Sequence, residues 1–164
     1  AVRNLGTLGG SICNSDPAAD YPSALLSLNA TILTNKRTIS AKDFFVDMFE
    51  TILADDEIVI SISFPIVKKS YYMKFASQAS KYAIVGIFAS YNNDLIKLAI
   101  TGAANKVFSV KELEGLTPQK VLELNLDQLD FENYYINADI HASSEYRIAL
   151  IKNMIKSISN YIKN

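Results

Sequence analysis

Residues 82–102 have the sequence YAIVGIFASYNNDLIKLAITG. Two runs rich in β-branched and aromatic residues, 82–91 and 95–102, flank Asn92-Asn93-Asp94, a typical turn between antiparallel strands. Residues 71–77 form another strand candidate just before them. Because strands in series joined by a tight turn favour antiparallel pairing, we predict a meander in this half of the chain.

Two helices are predicted after the meander. Thr117-Pro118 begins a helix to about residue 126, since proline suits the first helical position. Ser143 or Ser144 caps a final helix, in which five isoleucines between 148 and 162 share one face. A sheet covered on one side by helices has an α+β architecture.

The first part of the chain, about 1–56, has weaker patterns. Its glycine-rich residues 1–16 predict a loop, and Asp16-Pro17 predicts the start of a helix over about 17–29. Short runs on either side of Asn35-Lys36 predict a hairpin. Ser40-Ala41-Lys42-Asp43 resembles a capping box that opens a short helix.

Residues 57–64 alternate between apolar and polar side chains and predict a half-buried strand that ends at Pro65. In a regular strand, one face would carry the apolar side chains and the other Ser61 and Ser63. The apolar face would comprise Ile58, Ile60, Ile62 and Phe64.

Composition excludes several classes of protein. The chain has 164 residues, 49% of them apolar and 20% charged, which is ordinary for one globular domain or two small ones. No apolar run reaches the roughly 18 residues of a membrane span, and a net charge of −1 gives no general attraction to nucleic acid or anionic membrane. One cysteine, Cys13, forms no intrachain disulfide and cannot alone hold zinc or an iron–sulfur cluster. We expect neither a nucleic-acid partner nor membrane insertion.

Thr7-Leu8-Gly9-Gly10-Ser11 is the strongest local motif. Paired glycines let a backbone approach an anion closely, and flanking hydroxyls add donors, so the motif suits a phosphate or pyrophosphate. An ordinary turn is the alternative on glycines alone. The motif lacks the Gly-Lys-Ser/Thr of a Walker loop and the spacing of a dinucleotide-binding Rossmann loop.

The context of this motif resembles one family. The segments that match, in order, are RNLGTLGGS (3–11), DPAADYP (16–22), LLSLNA (25–30), RTISAKDFF (37–45), EIV (57–59) with Pro65, YMKFA (72–76), YAIV (82–85) and DIHASSEYR (139–147). Together they resemble the FAD-binding medium subunit of the molybdenum hydroxylases, the flavoprotein group of carbon monoxide dehydrogenase and xanthine dehydrogenase. The resemblance covers nearly the whole chain.

The resemblance implies two structural units. Residues 1–64 would be the second half of a flavin-binding, PCMH-type domain, and 65–164 the family's C-terminal domain, an antiparallel sheet with helices. The first half, with another glycine-rich phosphate loop, would lie on a missing segment or another chain, and Ala1 would mark a cut through the flavin site. The chain alone would then bind FAD weakly or not at all and would be inactive by itself.

The resemblance also assigns cofactor-binding residues. Thr7, Leu8, Gly9, Gly10 and Ser11 would face the FAD pyrophosphate. Asp20 would accept hydrogen bonds from ribityl or flavin-side hydroxyls, and Val59 would pack near the isoalloxazine ring. Two departures put contacts near the ring edge in question: Ser77-Gln78 stands where relatives have basic residues, and Lys81 where many have aspartate. No catalytic residue and no metal ligand is expected here.

The implied function belongs to a cytoplasmic complex. FAD would pass electrons from iron–sulfur clusters to an acceptor, while molybdopterin and the clusters lie on partner chains, the molybdenum cofactor subunit and the iron–sulfur subunit. One alternative is a non-enzymatic interaction module of such a complex that no longer binds flavin. Another, an independent flavin oxidase of the vanillyl-alcohol type, needs a substrate-cap domain for which the sequence is too short. Asp20 has a plainer interpretation as a first-turn acid of a helix, and the lone His141 as a loop or cap residue.

Overall fold

The structure is a computed structural model and describes residues 2–163. Its α-helices are α1 (Val2–Leu5), α2 (Leu8–Asn14), α3 (Tyr21–Ser27), α4 (Ala41–Phe44), α5 (Pro118–Glu123) and α6 (Ser144–Lys163). Its strands are β1 (Thr31–Thr34), β2 (Thr38–Ser40), β3 (Phe45–Asp47), β4 (Glu50–Thr51), β5 (Val59–Ser63), β6 (Lys69–Ala76), β7 (Ala83–Asn92) and β8 (Leu95–Thr101). Short 3₁₀ turns occupy Lys111–Leu113, Leu126–Gln128 and Glu132–Tyr134.

The predicted meander is confirmed. Strands β6, β7 and β8 form an antiparallel sheet in that order, and Asn93 and Asp94 take positive φ values of 49° and 62° in the β7–β8 turn. Helix α6 covers one face, where its isoleucines meet Val85 and Ile87. Four members of the predicted isoleucine stripe, at 151, 155, 158 and 162, are fully buried. The stripe therefore builds the larger core.

Helix α3 covers the opposite face of this sheet. Alternate residues of a strand point to opposite faces, so Ser90 and Ala99 face away from α6. The buried Ser27 hydroxyl of α3 lies 3.1 Å from that of Ser90, and Ala99 joins a second core with Leu25 and Phe44. The two parts of the chain thus pack through the α3 face of the sheet.

The first part contains the predicted hairpin. Strands β2, β1 and β5 form a sheet in that order, and β1 and β2 pair around Asn35-Lys36. The Ser40 hydroxyl accepts a hydrogen bond from the Lys42 N–H at the start of α4. Helix α2 packs on this sheet through the fully buried Ile12.

The predicted loop over residues 1–16 is wrong. Residues 8–14 form helix α2, because Thr7 has the extended backbone of an N-cap and its hydroxyl accepts from the Gly10 N–H at 3.0 Å. Two glycines weaken a helix by about 1 kcal/mol each relative to alanine, and the cap and burial of Ile12 offset that cost.

The predicted helix over 17–29 is too long. Helix α3 begins at Tyr21, and Pro22, not Pro17, lies in its first turn. Asp16 caps a separate turn, in which its Oδ1 accepts from the Ala18 N–H at 2.9 Å. The carbonyl groups of this turn are bonded by β8, so the backbone of 16–20 follows the sheet and not a helix.

The predicted single apolar face of β5 is also wrong. Ile62 pairs with the buried Ile32, but Val59 pairs with Thr34, and a bulge at Ile60 separates the two pairs. The extra residue transfers the core-facing side from Ile60 to Val59. Ile58 and Ile60 are therefore 68% and 63% exposed.

Candidate functional site

The N-terminal end of α2 carries the predicted phosphate-binding motif. Gly10 donates its N–H to the Thr7 hydroxyl, and Ser11 donates to the Thr7 carbonyl at 3.0 Å. The first N–H groups of a helix have no partner within it, so those of Leu8 and Gly9 point out of its end. The hydroxyls of Thr7 and Ser11 can still donate their own hydrogens. This end of α2 therefore offers up to four potential donors to an anion.

The fold places different steric demands on the two glycines of the motif. A Cβ on Gly10 would lie 3.2 Å from the Thr7 Oγ1, so this glycine lets the cap approach closely. A Cβ on Gly9 would meet nothing within 4 Å, and its backbone is not in the left-handed region. The fold itself does not require glycine at position 9, and the open space there would admit a group lying against the backbone.

Leu8 and Val59, predicted to touch the cofactor, are both half-buried against the smaller core. Their side chains therefore contribute to packing around Phe44 and Ile32. Cys13 is half-buried in the same region, and burial raises the pKa of its thiol. A raised pKa disfavours the thiolate, which is the nucleophilic form of cysteine.

Asp20 lies in a polar cluster on β6. The Tyr72 hydroxyl donates to Asp20 Oδ1 at 2.5 Å, and the Lys74 ammonium donates to Oδ2 at 2.9 Å. The Asp20 side chain remains 43% exposed, and each carboxylate oxygen has a second lone pair, so it can accept further hydrogen bonds. Tyr72 and Lys74 belong to the YMKFA segment of the resemblance but were not predicted as site residues. Their alternate spacing on one strand, i and i+2, was the signal that they share a face.

Gly86 makes room for this cluster. A Cβ at position 86 would lie 2.5 Å from the Tyr72 hydroxyl and 2.9 Å from the Thr101 methyl, so the glycine lets the phenol cross β7 toward Asp20. Burial, together with the hydrogen bond to Asp20 and its negative charge, raises the pKa of Tyr72 well above its usual range. The phenol is thus a permanent donor to the carboxylate.

The turn 16–20 is bonded to the end of β8. The Thr101 Oγ1 lies 2.8 Å from both the Pro17 and the Ala19 carbonyl oxygens, and the Gly102 N–H donates to Pro17 O at 2.7 Å. Thr101 is fully buried. These contacts join the first part of the chain to the meander.

Arg147 of α6 supports the same strand end. Its Nη1 donates to the carbonyl oxygens of Ile84 at 2.6 Å and Gly102 at 2.9 Å, and its Nη2 donates to Asp139 Oδ2 at 2.7 Å. Burial alone would raise the pKa of Asp139, but hydrogen bonds from the His141 and Ala142 N–H groups and the Arg147 charge hold that pKa below its usual value. His141 itself is exposed. The residues predicted as a helix opening thus form a structural ion pair.

A cleft of about 300 Å³ lies beside the turn. Its lining includes Asp16, Ser77, Tyr82 and Asn137, so one of the departures from the family pattern falls here. Within residues 2–163, no group of three or more His, Cys, Asp and Glu side chains could hold a metal ion. No helix in that range is both long and apolar enough to cross a membrane.

Glu57 has a structural environment. It is buried, and its carboxylate accepts from the Thr34 hydroxyl at 2.7 Å, the Arg37 guanidinium at 3.0 Å and the Ala54 N–H at 3.1 Å. The hydrogen bond from Arg37, with those from Thr34 and Ala54, lowers the pKa of Glu57 to about 2. This carboxylate fastens the β1–β2 hairpin to the start of β5.

The arrangement suits binding more than acid–base chemistry. The end of α2 offers potential hydrogen-bond donors, which suit a phosphate. The Asp20 carboxylate, held by a phenol and an ammonium group, offers an acceptor, which suits a sugar hydroxyl. Residues 1–67 match the family model described as the FAD binding domain in molybdopterin dehydrogenase.

Curated relatives extend the match over most of the chain. The glyceraldehyde dehydrogenase medium chain of Sulfolobus acidocaldarius is 36% identical over 92% of this chain and 59% of its own length. The nicotine 6-hydroxylase medium subunit of Paenarthrobacter nicotinovorans is 30% identical over 94% of this chain and 60% of its own length. The chain therefore spans about 60% of the length of these relatives.

Solved structures share the fold. Carbon monoxide dehydrogenase from Oligotropha carboxidovorans superposes with a TM-score of 0.80 at 21% identity, over 95% of this chain and 60% of that one. Quinoline 2-oxidoreductase from Pseudomonas putida 86 gives 0.78 at 23% identity, over 98% and 61%. Over most of its length the chain is therefore similar to FAD-binding medium subunits of the molybdenum hydroxylases, which confirms the resemblance and the α+β fold inferred from sequence.

Proposed function

We propose that this chain supplies part of an FAD site in the flavoprotein subunit of a molybdenum-containing oxidoreductase. The carrying observation is Gly9: it lies in the first turn of α2, where backbone N–H groups have no partner within the helix, and a Cβ there would meet nothing within 4 Å. A glycine without a structural cause, beside available donors, is what close approach of a pyrophosphate requires. The match of residues 1–67 to an FAD-binding family supports the same assignment.

The residues divide the cofactor between them. The N–H groups of Leu8 and Gly9 and the hydroxyls of Thr7 and Ser11 would donate to the pyrophosphate. Gly10 acts indirectly, because its own N–H is already bonded to the cap.

Asp20 would accept from ribityl or flavin-side hydroxyls while Tyr72 and Lys74 hold it in place. Val59 contributes the apolar side of the ring site from β5. Bound FAD would supply the electron relay between iron–sulfur clusters and an acceptor, and this chain's residues bind and orient it.

The proposal includes the division of the chain and its surroundings. Residues 1–64 would be the second half of the flavin domain and 65–164 the C-terminal domain. This chain spans about 60% of the length of its relatives. A segment that corresponds to their remaining portion would supply the other phosphate loop, either in the same polypeptide or as a separate chain. The molybdenum cofactor and iron–sulfur subunits would be the partners, in the cytoplasm.

Calorimetric titration with FAD tests the proposal. The chain is titrated alone and together with the remaining flavoprotein portion, and we expect one-to-one binding only in the second case. Weak binding by both samples would contradict a role in the FAD site. Tight binding by this chain alone would contradict the shared site.

A non-enzymatic interaction module is the second candidate. Its supporting observation is the apolar surface left beside β5, where Ile58 is 68%, Ile60 63% and Ile66 94% exposed. Exposed clusters of large apolar side chains commonly mark contact surfaces. Flavin absorbance measures how much FAD a purified complex holds. A complex that contains this chain but shows no flavin absorbance would favour this candidate.

A further inference from the structure

The turn that precedes Asp20 has no helix or strand of its own to hold it. Residues 16–20 are bonded instead by Thr101, whose hydroxyl lies 2.8 Å from the carbonyl oxygens of Pro17 and Ala19. Thr101 is fully buried, and Gly102 adds a backbone donor to Pro17 O at 2.7 Å. The backbone that leads into Asp20 is therefore placed by the end of β8.

That strand end is itself held from α6. Gly102 has φ of +82°, and a Cβ there would lie 2.5 Å from the Ala83 carbonyl oxygen, so only glycine fits without displacement. Its carbonyl accepts from Arg147, which also bonds Ile84 O and the Asp139 carboxylate. Arg147 is 3% exposed, so loss of the guanidinium would remove its buried hydrogen bonds to both carbonyl groups and to Asp139.

Asp20 directly precedes α3, where the Ser23 hydroxyl donates to its carbonyl oxygen at 2.7 Å, and the sheet fixes it at two further points. Its backbone follows the anchored turn, and its carboxylate is bonded by Tyr72 and Lys74 on the same face of the sheet. Gly86 pairs with both Lys74 and Thr101, so the two points lie on neighbouring positions across the sheet. A displacement of the strand end would move the backbone of Asp20 while its carboxylate stays bonded to β6.

We infer that Thr101 and Arg147 are positioning residues of the flavin site: they hold turn 16–20 so that the Asp20 carboxylate meets the cofactor. The inference rests on the proposed function. It makes FAD affinity depend on two residues of the meander and α6, neither of which was predicted to touch FAD. A carboxylate held in its bound position loses less conformational entropy when the ligand binds, and this is the source of the dependence.

Thr101→Val and Thr101→Ser test the inference in the assembled flavoprotein. Valine keeps the shape but removes the hydroxyl, whereas serine keeps the hydroxyl. We expect Thr101→Val to raise the FAD dissociation constant roughly tenfold and Thr101→Ser to restore it to within about twofold of wild type. Hydrogen exchange at the amides of Asp16 and of residues 18–20 should accelerate in the valine variant only.

The matched control is Ile158→Val, a fully buried change on α6 that faces the other side of the sheet. It lowers thermal stability without touching the turn, so we expect unchanged FAD affinity. Equal loss of affinity in the control and in Thr101→Val would show a merely structural role and overturn the inference. If Thr101→Val does not fold, Arg147→Lys replaces it, with faster exchange at 16–20 and several-fold weaker FAD binding expected.

The two proposals fail differently. A wild-type assembly that takes up no FAD overturns the proposed function and, with it, the role of the anchor in cofactor binding. A wild-type assembly that binds FAD, with folded Thr101→Val or Arg147→Lys variants of unchanged affinity, overturns the inference alone.

Discussion

The N-terminal end of α2 and the turn 16–20 lie only a few residues apart in the chain, but they are built in opposite ways. The α2 end is made by contacts within four residues, from Thr7 to Gly10 and Ser11. Beyond the local cap of Asp16 on Ala18, the turn is held by residues that lie 52 to 84 positions away, from Tyr72 to Thr101. A local motif can be recognised from sequence, whereas a turn held from a distance cannot, because its partners acquire meaning only once the sheet has formed.

The largest expected effect on FAD affinity comes from Asp20, which is held by contacts from distant parts of the sequence. Asp20→Asn keeps the size of the side chain but removes its negative charge. That charge pairs with Lys74 and would strengthen a hydrogen bond from a ligand hydroxyl. Hydrogen bonds to charged groups contribute about 1.5–3 kcal/mol, so we expect FAD affinity of the assembled flavoprotein to fall by roughly 10- to 100-fold. Fluorescence titration measures this.

Tyr72→Phe is the control for Asp20, since it leaves the carboxylate charged and bonded to Lys74. Its affinity should lie between those of wild type and Asp20→Asn. If Asp20→Asn binds FAD as wild type does, the carboxylate is only a structural partner of β6.

Gly86→Ala tests whether the long-range cluster needs the space above β7. The new methyl would meet the Tyr72 hydroxyl at 2.5 Å and Thr101 at 2.9 Å, so neighbours must move. Overpacking of this kind costs about 1–3 kcal/mol, and urea unfolding should show a loss of that size. Gly115→Ala, at a glycine with open space but a positive φ of 73°, separates crowding from backbone strain. An unchanged stability for Gly86→Ala would mean that the phenol is not tightly held.

Gly9→Ala separates the local construction from the fold. Alanine favours a helix by roughly 0.5–1 kcal/mol over glycine and meets nothing here, so stability should rise. The same methyl would intrude on a bound pyrophosphate, and we expect FAD affinity to fall by about tenfold. Gly10→Ala is the comparison, because its methyl would lie 3.2 Å from the Thr7 Oγ1 and crowd the cap, so its stability should rise less than that of Gly9→Ala. A Gly9→Ala variant with raised stability and unaltered FAD affinity would remove the α2 end from the site.

Acid should act on the first part of the chain through Glu57. Its pKa is about 2 in the folded protein and close to the ordinary glutamate value when unfolded. The ionised carboxylate therefore stabilises the fold at pH values above the unfolded pKa, and this contribution is lost as pH falls toward 2. Glu57→Gln should lower the urea midpoint at pH 7 and flatten its decline between about pH 4.5 and 2. Parallel pH curves for the two proteins would contradict the pairing with Arg37.

The meander was predictable because runs of strand-favouring residues flank a turn signal, and the α6 stripe because its isoleucines recur at helical spacing. The capped ends were predictable too, from Thr117 and Ser40. The α2 helix was not, since the paired glycines indicate a loop and its buried anchor is the single Ile12. The bulge at Ile60 was hidden for a similar reason: the alternation of 57–64 is regular, and only pairing with β1 displaces it.

Candidate site residues show the same limit. Thr7 to Ser11 were recognised as a local phosphate motif and Asp20 was named from the resemblance, and the structure adds Tyr72 and Lys74 around Asp20. Thr101 gives no local signal, because a threonine at the end of an apolar strand is common. Its role depends on which turn lies opposite, which only tertiary packing decides.

The anchoring of residues 16–20 has a consequence for the order of events during synthesis. Contacts that span 84 residues between Pro17 and Thr101, and 45 between Gly102 and Arg147, cannot form while the later residues are still inside the ribosome. The N-terminal end of α2 can form as soon as it leaves the ribosome. The contacts that hold residues 16–20 form only after α6 has been synthesised and has packed on the sheet. FAD would then bind only after this part of the polypeptide is complete, because a nascent chain would have formed only the α2 end of the site.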